Sequence, residues 1–299
     1  MKWRKLGLIF CPSGETTWMQ SHAAVPIAES IGDNLFKIYF SSRDKDNRSY
    51  TGSIITEIDR PNRILDIPIE PVLSPGELGA FDDSGSMATW LTEYQGYRFL
   101  YYIGWNLGVT VPFRNSIGLA TSRENSKFSR CSNGPIMDRS MKEPHFCASC
   151  CVLQGEEFWR MWYLSCTGWR VRKGNPEHKY HIKYAESIDG INWNRDGLIA
   201  IDFANDQEYA ISRPSVIHDG TWKMWYSYRG QSYRIGYAES DNGRQWKRLD
   251  NKVGIDVSVT GWDSEMIEYP YVFDHHGQRY MLYNGNGYGK SGFGLAILE

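Results

Sequence analysis

Trp222 to Trp246 reads WKMWYSYRGQSYRIGYAESDNGRQW. Lys223-Met224-Trp225-Tyr226-Ser227-Tyr228 alternates with period two, and so does Tyr233-Arg234-Ile235-Gly236-Tyr237-Ala238-Glu239-Ser240. A polar Arg229-Gly230-Gln231-Ser232 stretch separates them, and Asp241-Asn242-Gly243 follows. Alternation of this length between turn residues predicts a hairpin of two amphipathic strands. Asp, Asn and Gly then make the exit turn, since their side chains or lack of one suit tight backbone bends.

The same phrase recurs along the chain. Phe158-Trp159-Arg160-Met161-Trp162-Tyr163 is followed by His181-Ile182-Lys183-Tyr184-Ala185-Glu186-Ser187 and Asp189-Gly190-Ile191-Asn192-Trp193. Weaker copies are Phe36–Phe40 with Thr51–Ile54, Arg98–Tyr102 with Ser116–Ala120, and Arg279–Tyr283 with Gly292–Ala296. A spacing of roughly 55 to 65 residues is a propeller or array period. The expected fold is all-β: a five-bladed β-propeller of four-stranded antiparallel blades, one domain over residues 1–299. An irregular β-sandwich is the alternative, and it would not require the repeat. The last copy ends on Phe293–Leu298 with no fourth strand after it, so Lys5–Phe10 is expected to close the ring and remove the exposed edge.

Composition narrows the function. Hydrophobic residues at 41% and aromatics at 14% provide for a packed core and exclude broad disorder. Most of the Trp and Tyr are expected between blades, the remainder on a sugar-binding surface. A net charge of −2 gives no basic field for nucleic acid. No apolar run approaches the roughly 18 residues of a membrane span, and the N-terminal run is too short for a secretory signal. The six cysteines show no framework spacing. Cys147-Ala148-Ser149-Cys150 has no second pair and lies in an expected strand, so buried reduced thiols are the reading. These features fit a cytoplasmic protein without metal or cofactor. Asn284-Gly285-Asn286-Gly287-Tyr288-Gly289 lacks the strand-to-helix setting of a phosphate loop and reads as a turn beside the cleft.

Each unit needs a lead strand before its hairpin, and in a propeller these line the central channel. They are read as Ser21–Ala28, Ser86–Trp90 after Phe81-Asp82-Asp83-Ser84-Gly85, and stretches beginning Glu143-Pro144-His145-Phe146, Ser212-Arg213-Pro214 and Glu265-Met266-Ile267-Glu268. Prolines near their starts avoid central ladder positions. Charged residues converging on one funnel are costly as mere core and make sense as a ligand site. Glu268 lies among apolar neighbours and needs a partner, for which Arg213 is the candidate.

The repeat, the Met-Trp-Tyr and Ile-x-Tyr-Ala-x-Ser phrases and the Asp-Gly-x-x-Trp turn together resemble the five-bladed carbohydrate enzymes. These are the family 43 and 32 glycoside hydrolases and the family 130 mannoside phosphorylases. The chain is most similar to bacterial proteins described as glycosyl hydrolase family 32 N-terminal-like, which are associated with surface polysaccharide genes. The resemblance implies acidic residues on the lead strands. Glu143 matches the acid of the third blade, and Asp82 or Asp83 the second-blade carboxylate. The first-blade base is unmatched, since Ser21-His22 stands there, which counts against ordinary inverting hydrolysis with two carboxylates. A phosphorylase needs no carboxylate base. Arg43, Arg114, Arg213, His22 and His145 would then hold phosphate, a sugar phosphate or a sugar carboxylate, arginine doing so bidentately.

The expectation is cleavage of a glycosidic bond, by hydrolysis or phosphorolysis, at the channel mouth. Asp83, Glu143, Asp82 and Glu268 are the catalytic candidates, Asp83 or Glu143 protonating the leaving oxygen, with Trp105 as a sugar platform. The alternatives are a non-catalytic sugar-binding propeller and a transferase or sugar-modifying enzyme of surface polysaccharide synthesis.

Overall fold

A computed structural model describes residues 1–123 and 126–299. The strands are β1 (Trp3–Phe10), β2 (Ser21–Gly32), β3 (Leu35–Arg43), β4 (Ser49–Glu57) and β5 (Arg60–Asp66). Next come β6 (Gly85–Tyr94), β7 (Tyr97–Leu107), β8 (Phe113–Arg123) and β9 (Ser129–Arg130), then β10 (Cys147–Gln154), β11 (Trp159–Arg172), β12 (Asn175–Ser187) and β13 (Ile199–Ile201). The chain finishes with β14 (Ala210–His218), β15 (Trp222–Arg229), β16 (Tyr233–Ser240), β17 (Lys247–Arg248), β18 (Glu268–His275), β19 (Gln278–Asn284) and β20 (Phe293–Leu298). The expected hairpin is present, with Trp222 opposite Ser240, Met224 opposite Ala238 and Arg229 opposite Tyr233.

Pairing is antiparallel along consecutive strands. One sheet has the order β1-β20-β19-β18, and two larger sheets run from β2 to β9 and from β10 to β17. Each larger sheet is two antiparallel meanders joined by one parallel contact, Ser49 with Gly85 or Tyr180 with Ala210. The five lead strands β2, β6, β10, β14 and β18 each neighbour the next, and β18 returns to β2.

The Asp/Asn-Gly turns connect one meander to another. Asp189 Oδ1 accepts the backbone N–H groups of Ile191 and Asn192 at 2.8 Å, and Asn242 does the same for Arg244 and Gln245. Gly190 and Gly243 adopt φ of 72° and 73°, where a Cβ is strained. Their carbonyls accept from the preceding meander: Gly190 from the Tyr101 hydroxyl at 2.9 Å, Gly243 from Trp162 Nε1 at 2.8 Å. Aromatic rings fill the same seams, as with Trp162 against Trp222 at 5.6 Å and Tyr101 against Trp193 at 6.4 Å.

β1 lies antiparallel to β20, with Trp3 opposite Leu298 and Phe10 opposite Phe293. Lys5 adds an ion pair to the buried Asp263 at 2.7 Å. Removing residues 1–10 leaves β20 an exposed edge, paired with β19 alone, and Asp263 without its lysine. The truncated chain is expected to lose its cooperative thermal transition and aggregate. A monomer that melts as the full chain does would show that β1 is dispensable.

Candidate functional site

Every lead strand breaks register at the same level. The breaks fall between Ala24 and Ile27, Ala88 and Trp90, Ala148 and Cys150, Ser212 and Ser215, and Glu268 and Tyr271. A bulge leaves its extra residue out of the ladder and re-aims its side chain. At three of them the bulged residue precedes proline, and Val25, Arg213 and Tyr269 take φ of 56°, 54° and 55°. Their freed N–H groups go to side chains of other strands. Val25 donates to Asn284 Oδ1 at 2.8 Å, Arg213 to Ser149 Oγ at 3.3 Å and Tyr269 to Ser227 Oγ at 2.7 Å.

Val25, Ser149, Arg213 and Tyr269 thereby face one cavity of about 290 Å³, and Met87 of β6 completes a wall drawn from all five lead strands. Its polar lining is cationic and aromatic: Arg43, Arg213, Arg229, His178, Tyr180, Tyr233, Tyr269 and Tyr288. Among the described residues, no carboxylate lines it. Arg43, partly buried, has no side-chain hydrogen bond or ion pair among the described residues. Ser212 Oγ, Arg213 Nε and Arg229 Nε are buried atoms without a hydrogen-bond partner. Donors left unpaired around a cavity await a ligand or water. Burial and then the charges of Arg43 and Lys290 lower the pKa of His22 to about 4, so it is neutral near pH 7. Burial also lowers His178 to about 4.

A second cavity of about 350 Å³ adjoins the first and shares Asn115 and Phe146 with it. Arg114, His145, Asp138 and Trp169 line it. The structure thus brings Arg43 and Arg213 into one cavity and Arg114 and His145 into its neighbour. His22 lies near Arg43 outside both walls.

The other expected residues lie elsewhere. Asp82 accepts from Tyr102 at 3.1 Å and pairs with Arg130 at 2.8 Å. Glu143 sits in the loop before β10, not on the strand as expected. It accepts from Tyr163 at 3.0 Å and Ser165 at 2.6 Å, and pairs with Arg195 at 3.1 Å and Lys183 at 3.3 Å. Burial pushes the Glu143 pKa up, but these partners outweigh it and hold the carboxyl below its usual range. The pattern recurs in two further meanders. Tyr283 donates to Asp263, which pairs with Lys5, and Tyr226 donates to Asp250, which shares Arg248 with Glu208. In the first meander Phe40 replaces the tyrosine. The tyrosine at the corresponding place in four hairpins (Tyr102, Tyr163, Tyr226 and Tyr283), with Asp82, Glu143 and Asp263 ahead of three lead strands, was the signal for this clamp.

Asp83 is a loop brace, accepting from Gly79 N–H, Ser84 Oγ and Asn106 Nδ2. Burial raises its pKa, but those bonds prevail and lower it. Trp105 lines neither cavity; its indole nitrogen packs over Gly85, 2.3 Å from where a Cβ would stand. The expected Glu268–Arg213 pair does not form. The fully buried Arg213 guanidinium donates to the Thr89 carbonyl, to Thr89 Oγ1 at 3.0 Å and to the Pro26 carbonyl at 3.0 Å. Glu268 is also fully buried, and neither carboxyl oxygen has a hydrogen-bond partner. Burial raises its pKa well above the carboxylate range, opposed by the charge of Arg229. Arg229, His178, Tyr180 and Tyr233 escaped sequence reading, because they sit at hairpin ends beyond the lead strands, whereas Tyr288 lies in the stretch read as a turn beside the cleft.

Arrangement and cavity define a class. The fold is that of the propeller glycoside hydrolases and phosphorylases of families 43, 130 and 32. A thermostable family-43 glycoside hydrolase matches with TM-score 0.67 at 16% identity, over 95% of this chain and 91% of that one. A structure from work on family 130 mannoside phosphorylases and hydrolases of β-1,2 mannosidic linkages in Candida mannan gives 0.71 at 15%, over 99% and 93%. The Bombyx mori family 32 β-fructofuranosidase gives 0.63 at 13%, over 97% of this chain and 61% of that one. No protein-family model matches the sequence. The chain belongs to the family of two Mycobacterium tuberculosis proteins, Uncharacterized protein MT1551 of strain CDC 1551 / Oshkosh and Uncharacterized protein Rv1502 of strain ATCC 25618 / H37Rv. It is 47% identical to each over 300 residues, covering 100% of both chains.

Proposed function

We propose that this protein is a single five-bladed propeller whose central cavity binds an anionic saccharide and cleaves a glycosidic bond with a bound anion, rather than wall-activated water, as nucleophile. The observation that carries this reading is the cavity wall itself, with three arginines and no carboxylate. Hydrolysis by the usual route needs two carboxyl groups flanking the bond. Asp82 and Glu143 are instead members of a recurring tyrosine–carboxylate–cation clamp, and Asp83 braces a loop; all three serve the scaffold. Glu268 lies among cavity-wall residues, and burial raises its pKa well above the carboxylate range, which favours the proton-bearing form. It gives that proton to the glycosidic oxygen as the carbon–oxygen bond breaks, while an oxygen of the anion bonds to the anomeric carbon. The cavity's second neighbour, with Arg114, His145 and Trp169, accommodates the adjoining part of the ligand.

The anion held by the arginines is inorganic phosphate, which can serve as the nucleophile, or the phosphate or carboxylate of the sugar, which only anchors the ligand. Calorimetry with phosphate, a sugar 1-phosphate, a uronic acid oligomer and a neutral oligosaccharide separates these sources. Arg43→Gln is expected to weaken the anionic ligand by about tenfold or more, the loss of one charge-assisted contact. Asp83→Asn is expected to leave that affinity unchanged. Binding of the neutral oligosaccharide alone, indifferent to Arg43→Gln, would overturn the anionic reading. A second reading is a binding module without turnover, favoured by the complete enclosure of Glu268. Ligand binding without phosphate-dependent release of a sugar phosphate would select it.

A further inference from the structure

We propose that Tyr288 is a ligand-operated latch over Glu268: an anionic group engaging Arg229 frees the Tyr288 phenol and opens the buried carboxyl to the cavity. This deepens the reading of the cavity as an anionic-saccharide site and rests on it.

Glu268 has zero exposure and no hydrogen-bond partner on either oxygen. An unpaired buried carboxyl is costly, and its retention calls for a use. Its surroundings are cavity-wall residues: Arg229, Tyr180, Tyr233, Tyr269 and Tyr288. Tyr180 and Tyr233 are 8% and 1% exposed, and their hydroxyls bond each other at 2.6 Å, so they are fixed panels. Tyr288 differs from them. It is 37% exposed, and its backbone N–H lies beside the Glu268 carboxyl without reaching hydrogen-bond geometry.

Tyr288 stands in Gly287-Tyr288-Gly289, three successive left-handed residues with φ of 69°, 60° and 84°. That conformation is disfavoured for a residue carrying a Cβ, so side-chain contacts must hold it. The only side-chain hydrogen bond to the phenol comes from Arg229 Nη1 at 2.6 Å among the described residues. Arg229 stacks on the rings of Tyr209, Tyr233 and Tyr288 at 5.3, 5.4 and 5.6 Å, pairs with no carboxylate, and has an unpartnered Nε. A neutral phenol is a weaker acceptor for guanidinium than an anion able to take two parallel bonds. The residue that attracts the ligand is therefore the residue that fastens the latch. Burial raises the pKa of the covered carboxyl, and an anion beside it disfavours ionisation once it is uncovered.

Modification by a water-soluble carbodiimide, which requires contact with the carboxyl, reads the latch directly when Glu268 is followed by mass spectrometry. Tyr288→Gly removes the ring and keeps the left-handed backbone. In this variant Glu268 is expected to react about tenfold faster than in the unaltered protein, as for a site released from local closure. Inorganic phosphate is expected to accelerate the reaction in the unaltered protein and not in Arg229→Gln. Unchanged reactivity in a folded Tyr288→Gly protein would overturn the latch. Calorimetric phosphate binding without faster modification would also overturn it while leaving the anion site standing. Absence of phosphate binding together with a reactive Tyr288→Gly protein would keep the shield, refute its release by this anion and count against the anion site.

Discussion

Arg213→Ala is expected to lower the unfolding free energy by about 2–4 kcal/mol, since two buried carbonyls lose their charged donor at roughly 1–3 kcal/mol each. Arg213 is fully buried and joins three lead strands: its own, that of Thr89 and that of Pro26. No carboxylate balances it. The backbone carbonyls it reaches carry its charge, and burial lowers its pKa only to about 10, so it remains charged near pH 7. Alanine would leave the Pro26 and Thr89 carbonyls facing the space vacated by the guanidinium. The midpoint of thermal unfolding should fall by on the order of 10 °C. Arg213→Lys is expected to recover little, since one ammonium does not reproduce a planar fork spanning two carbonyls. Urea unfolding of the three proteins at one pH measures this. A loss below about 1 kcal/mol for alanine, the worth of a single ordinary hydrogen bond, would show that the strands do not depend on this tie.

Glu268→Gln should make the protein more stable at pH 7 than at pH 4, relative to the unaltered chain. The folded pKa of Glu268 is raised by burial above the ordinary value of 4.5. Its favourable contribution is therefore fully present below pH 4.5 and is lost as pH rises toward the folded pKa. Over that window the unfolded chain ionises while the folded one keeps its proton. The penalty grows by about 1.4 kcal/mol per pH unit. Glutamine has the same shape and cannot ionise, so its advantage should rise across the window and vanish near pH 4. Burial raises the pKa of Tyr180, Tyr233 and Tyr269, so they stay neutral between pH 4 and 7; His178, stacked on Tyr180 and lowered to about 4, is common to both proteins and cancels in the comparison. Denaturant melts of both proteins at pH 4, 5, 6 and 7 test it. A pH-independent difference, or a glutamine protein weaker at pH 7, would mean that Glu268 is ionised and paired in solution. The same variant should abolish glycosidic cleavage under the proposed mechanism, while the affinity for phosphate remains.

The two predictions mark the division between what was legible in the chain and what was not. Strands and turns were legible because they are local. The alternation of Lys223–Tyr228 and Tyr233–Ser240, and the Asp/Asn-Gly turns, state their own backbone geometry within a few residues. The missing last strand likewise announced the role of Lys5–Phe10, since an unpaired edge needs a partner. Arg213 on its lead strand and Arg43 at the end of β3 both line the cavity.

The direction in which a polar side chain points was not legible. A bulge inserts one residue, and with a period of two that reverses which face the following side chains occupy. The bulges at Val25, Arg213 and Tyr269 depend on N–H partners contributed by Asn284, Ser149 and Ser227 from other parts of the chain. Asp82 and Glu143 read as catalysts by position. Their loops instead turn them toward Tyr102 and Tyr163 and toward cations from far along the sequence. Arg213 bonds carbonyls rather than Glu268 for the same reason: its partners, Thr89 and Pro26, become neighbours only once the lead strands are arranged around the cavity. Local alternation and turn residues account for the strands, the turns and the closing pair. Which charges line the cavity depends on long-range packing, because that packing sets the bulges that aim them.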